Sequence, residues 1–150
     1  MKILSIFLLI GLYSIGQNDL KVIQQDQIIV EFPDVEATFP CHTFYNYDTL
    51  GNVISNYERC GPVGMMTFIN QNVIYPQTSI EMNEQGRVFL AFVVEKDGSI
   101  TNIRVERGVS IDLDREAKRV VGLMPNWIPA KSGGKFVRCR ARLPISFKLN

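Results

Sequence analysis

Arg138, Arg140 and Arg142 stand at every second position of the last stretch of the chain, and these are the side chains whose type and spacing best suit binding chemistry. In a strand, alternate residues share a face, so the three guanidinium groups form one basic row suited to carboxylates. Lys131, Lys135 and Lys148 flank them, and no acid lies between Lys131 and Lys148. Residues 19–36 are the opposite, with Asp19, Asp26, Glu31, Asp34 and Glu36 against Lys21 alone. The basic stretch is either a solvated charged face or an edge suited to an acidic peptide.

Other candidate chemistry is thin. His42, the sole histidine, adjoins Cys41, but neighbouring side chains rarely form a nucleophile and base, and no third group orients them. The cysteines and this histidine lack zinc-ligand spacing. Asp112, Asp114 and Glu116 lack the rest of a calcium loop and read as the acidic start of a helix. Gly133-Gly134 enters a strand, the wrong context for a phosphate cradle. The arginines have no interleaved aromatics, a poor nucleic-acid signature. No catalytic residue, metal or cofactor is expected, and the chain reads as a binding protein.

The elements that must position the arginine row follow from periodicity. In Phe136–Leu149, Val137, Cys139, Ala141, Leu143, Ile145, Phe147 and Leu149 fall on one face, and Phe136, the three arginines, Pro144, Ser146 and Lys148 on the other. This is a half-buried strand, and Pro144, which lacks an N–H, favours a sheet edge. An edge strand can accept a strand from another chain. Arg87–Glu95 is apolar on both faces and should be the most buried strand. Asp97-Gly98 turns the chain into a second strand, Ser99–Arg107. Asp112–Met124 carries the apolar stripe Leu113, Ala117, Val120, Val121 and Met124 of an amphipathic helix. Shorter helices are expected over Gly64–Asn72 and Pro76–Gln85. Trp127 and Pro129 should fold over the core, and Ser132-Gly133-Gly134 is a turn. The fold class is α+β: a three-stranded antiparallel sheet with two helices packed on one face, preceded by an extended arm with one short strand at Ile28–Val30 and a loop over Cys41–Pro62.

With 46% hydrophobic and 21% charged residues and a net charge of +1, the chain is an ordinary globular domain rather than a nucleic-acid binder. Lys2, the apolar run Ile3–Ile15 and Ser14-Ile15-Gly16 read as a signal peptide cut before Gln17. The alternative is a retained short anchor. Export permits disulfides. Cys41 and Cys60 either pair, stapling the loop by roughly 3 kcal/mol, or stay free, while Cys139 reads as a small core residue. The expected division is 1–16 signal peptide or anchor, 17–63 arm and loop, and 64–150 folded domain.

From about Phe68 to Leu149 the sequence resembles the C-terminal domain of TonB, especially the short TonB-like proteins of the Bacteroidota. Tyr75-Pro76, Gly86-Arg87-Val88, Phe92-Val93-Val94, Asp97-Gly98-Ser99-Ile100, Leu113-Asp114 with Glu116-Ala117, Met124-Pro125-Asn126-Trp127 with Pro129, then Gly134, Pro144 and Phe147 carry the resemblance in order. Ser79 stands where that family usually has Ala, and Asn83 where it often has Gly. The resemblance implies a periplasmic protein that binds the box peptide of TonB-dependent outer-membrane transporters by strand addition to its last strand, linked to energy-coupled transport. Partner-binding residues would be Gln71, Asn72, Tyr75, Phe136, Arg138, Arg140 and Arg142. Inner-membrane proton-driven motor proteins are further partners it implies. The alternatives are an energy transducer anchored in the inner membrane by an uncleaved N-terminus, and a self-associating envelope protein whose last strand pairs with its own copy as a homodimer.

Overall fold

The computed structural model describes residues 28–149, apart from the side chains of His42, Phe44 and Tyr57. The signal-peptide or anchor reading of residues 1–16 lies outside the described residues. Among those described, no helix is long and apolar enough to cross a membrane.

The centre is the α+β arrangement that the periodicity predicts. Strand β4 (Gly86–Val94) lies between β5 (Ile100–Arg107) and β7 (Lys135–Phe147), antiparallel to both. The β4–β7 ladder runs unbroken from Gly86 opposite Phe147 to Val94 opposite Cys139. Its register sorts the two faces. Val88, Leu90, Phe92 and Val94 meet Ile145, Leu143, Ala141 and Cys139 on the core face. Ala91 and Val93 lie opposite Arg142 and Arg140 on the outer face, and both are buried there. Long arginine stems lying over apolar neighbours account for that burial.

Among the described residues, three helices cover the core face: α1 (Gly61–Asn72), α2 (Gln77–Glu81) and α3 (Ile111–Gly122). The Ser110 hydroxyl caps α3 by accepting from the Leu113 N–H, and Leu113, Ala117, Val120 and Val121 are fully buried. α2 is a single short helix that stops before Asn83, which takes the left-handed conformation at φ 53°. Its Ser79, completely buried, donates to the Glu84 carboxylate at 2.7 Å, so the hydroxyl is satisfied where an alanine would need no partner.

Beyond the three central strands the sheet carries two additions. β6 (Ala130–Ser132) pairs with Lys135–Val137 through the Gly133-Gly134 turn. β1 (Ile29–Val30) pairs parallel to β7, with Ile29 level with Arg138 and Val30 with Cys139. Cys139 is bonded to β4 on one side and β1 on the other, so β7 is not a bare edge along its whole length.

The segment expected to be a loop over Cys41–Pro62 is instead an antiparallel hairpin, β2 (His42–Tyr47) and β3 (Val53–Arg59). At its tip the Asp48 carboxylate accepts from the Leu50 and Asn52 amides, both at 2.8 Å. Its base is closed by a disulfide between Cys41 and Cys60. Most of its side chains are exposed, so the crosslink substitutes for a core of its own. Replacing both cysteines by serine is expected to cost up to about 3 kcal/mol. Urea unfolding followed by Trp127 fluorescence checks this.

Candidate functional site

The outer rim of β7 is built by the ladder just described. From Arg140 to Phe147 its only paired neighbour among the described residues is β4, which leaves the other rim of this stretch without a strand. Eight residues of strand span about 26 Å. Alternate backbone groups along that rim point away from β4 and are available to a further strand.

The arginine row lies beside this rim and is already engaged. Arg138 donates to Glu95 through Nε at 2.6 Å and Nη2 at 3.0 Å. The Arg138 hydrogen bond is the main reason that the Glu95 carboxyl titrates below the usual range, against a smaller opposing effect of burial. Arg140 Nη1 lies 2.6 Å from Glu31. Arg142 lies 3.8 Å from the same carboxylate and 3.3 Å from Glu106. Arg142 is the most exposed of the three, with over half of its side chain accessible. The buried Nε of Arg140 has no hydrogen-bond partner among the described residues.

The other residues singled out in the sequence fall into two groups. Tyr75 sits at the Phe147 end of β7, its ring edge-on to Phe147 at 5.6 Å and its hydroxyl donating to the Glu84 carbonyl. Gln71 and Asn72 end α1 a few residues earlier. Phe136 lies at the opposite end of β7, half exposed, with the Lys131 ammonium 4.9 Å from its ring centre. Phe136 and Arg138 thus belong to the stretch that β6 and β1 pair with. Arg140, Arg142 and Tyr75 border the unpaired stretch. Cys41 is held in the disulfide, so no thiolate adjoins His42.

One residue that positions this region was read in the sequence as part of an acidic helix start and of the family resemblance, with no role of its own. Glu116 is buried on α3 and accepts from the Ile74 N–H at 2.6 Å and from Arg119 at 2.7 Å. Arg119 also donates to the Asn72 carbonyl at 2.6 Å. The pair therefore clamps the 72–75 turn that carries Tyr75. Burial pushes the Glu116 carboxyl up, but hydrogen bonds from Arg119 and Ile74 outweigh it and hold it below the usual range. The signal was available, since Glu116 lies three residues after Leu113, inside the apolar stripe.

A carboxyl held low stabilises the fold above its unfolded pKa, near 4.5, and that contribution is lost as pH falls through the lower folded value. Glu116→Gln is therefore expected to cost about 1–3 kcal/mol at pH 7. The deficit relative to the parent should narrow at pH 3, as urea midpoints at the two pH values would read.

Residues 71–149 match the family model of the Gram-negative bacterial TonB protein C-terminal region. Similar solved structures include the solution structure of the Pseudomonas aeruginosa TonB C-terminal domain, 32% identical over 51% of this chain and 78% of that one, with a TM-score of 0.43. The Helicobacter pylori TonB C-terminal domain is 22% identical over 57% of this chain and 90% of that one, with a TM-score of 0.42. No curated protein matches.

Proposed function

Because this chain belongs to the TonB C-terminal family, we propose that it is a periplasmic binding module that takes up the box peptide of an outer-membrane transporter as an added strand, coupled to energised transport. The family's domains are periplasmic, non-enzymatic interaction domains that meet outer-membrane transporters. The observation that carries the finer reading is the outer rim of β7 from Arg140 to Phe147, which no strand among the described residues pairs with. Backbone pairing along that rim supplies affinity, and Arg140 and Arg142 favour acidic peptides. Tyr75, with Gln71 and Asn72 behind it, borders the far end. In this reading residues 1–16 direct export, 17–63 form the arm and hairpin, and 64–150 are the binding domain.

Titrating isotopically labelled protein with transporter box peptides tests the proposal. Saturable amide shifts should concentrate on residues 140–147, and Arg142→Glu should weaken an acidic box about three- to tenfold, more at low salt. Binding whose shifts map elsewhere, or no binding, would refute strand addition at this rim. N-terminal sequencing of the exported protein separates a released module, starting at Gln17, from an anchored transducer.

A further inference from the structure

β1 is a strand already added to β7, supplied by the chain's own arm. Val30 lies on the core face level with Cys139, and Ile29 on the outer face level with Arg138. One residue on, the Glu31 carboxylate reaches Arg140 at 2.6 Å. A short parallel strand with apolar residues and a following acid thus occupies the near end of the rim, and its acid meets the arginine row.

The pairing is short for an identifiable reason. The chain bends at Glu31 and Phe32, Phe32 is almost wholly exposed, and Pro33 has no N–H to continue a ladder. The stretch beyond is fastened independently. Asp34 accepts from the Gly133 amide at 2.7 Å, Val35 and Thr38 bridge to Lys131 and Ile128, and Phe39 is buried in the core. β1 can leave the rim by rotation about residues 31–33 without disturbing these anchors. The tether returns it at an effective concentration of about a millimolar.

We infer that residues 29–31 are a resident competitor for the docking rim, and that the partner which displaces them is an extended peptide running parallel to β7, with an acid level with Arg140 and no proline in the following residues. The inference rests on the strand-addition reading above. Such a peptide keeps the two pairs β1 makes and adds those along residues 140–147 that Pro33 denies to the arm. The unpartnered Nε of Arg140 is a further donor that a two-pronged carboxylate from the incomer can take and that Glu31 leaves unused.

The test compares the full chain with the double variant Ile29→Gly, Glu31→Lys, which removes the strand former and sets a like charge beside Arg140. The probe is a labelled peptide of residues 26–32 of this chain followed by Thr-Val-Thr-Val. The variant is expected to bind it about tenfold more tightly than the parent, and its amides at residues 138–140 should exchange hydrogen faster in the absence of peptide. Unchanged exchange overturns the inference, because the arm then does not occupy the near end of β7. Equal affinity for the probe, with box peptides still shifting residues 140–147, overturns the competitor role alone. A probe and box peptides that bind neither chain remove the docking rim and the competitor with it.

Discussion

Gly98→Ala is expected to destabilise the domain by about 3 kcal/mol or more. Gly98 lies in the β4–β5 turn at φ 86°, a left-handed conformation that a side chain disfavours. A methyl group there would stand 2.0 Å from the Trp127 carbonyl oxygen and 3.1 Å from its carbon. These are backbone atoms, so no rotamer change relieves the overlap. The Gly98 carbonyl also accepts from the Trp127 N–H at 2.8 Å, and moving the two apart breaks that bond. Gly133→Ala is the control. It has positive φ as well, at 55°, but open space around the added methyl, so it should cost about 1 kcal/mol. Urea unfolding read by the single tryptophan separates the two. Equal losses would mean that dihedral strain alone matters and the turn is not clamped.

Trp127→Ala should cost about 3–5 kcal/mol, the range for truncating a buried large aromatic. Its ring lies edge-on to Phe92 at 5.4 Å and to Phe39 at 6.1 Å, so it joins the central strand to the arm. Its buried Nε1 has no hydrogen-bond partner among the described residues. Trp127→Phe therefore removes an unsatisfied donor while keeping most of the packing, and should cost far less. Phe39→Ala in the Trp127→Ala background should lose less than Phe39→Ala alone, with a coupling of about 1 kcal/mol. Circular dichroism follows the unfolding, since the fluorophore is gone. Full additivity would show that the arm and the domain are energetically separate.

The parts of this fold that the sequence announces are those where burial enforces a period. β4 is apolar on both faces because helices cover one and arginine stems the other, and α3 shows its stripe because Leu113, Ala117, Val120 and Val121 all enter the core. The β2–β3 hairpin was illegible as strand because its residues are largely solvent-facing, so no face is forced to be apolar, and Asn, Tyr and Thr alternate without pattern. The disulfide pairing was legible as one of two alternatives, because crosslinking depends on how close the hairpin ends come. The basic row was plain in the sequence. Glu31, one of its acidic partners beside Glu95 and Glu106, was visible only as a charge imbalance in residues 19–36, because that choice depends on a parallel register between segments over a hundred residues apart. The clamping role of Glu116 was masked by its neighbours: beside Asp112 and Asp114 it looks like one more helix-start acid, although its place in the apolar stripe sets it apart.

The burial of Phe39 has a mechanical consequence. Tension reaching the domain through the chain ahead of residue 29 would first strip the two pairs of β1 and the Glu31 contact, a soft element that yields without harm to the fold. It would then meet the bridges of Val35 and Thr38 to the segment before β7, and finally the Phe39 ring wedged against Phe68 and Trp127. The domain is thus gripped by its arm at the core rather than at its surface, and the soft element ahead of that grip is the one paired with β7 at Arg138 and Cys139, beside the rim. In a chain under tension, freeing the near end of β7 precedes loading the fold.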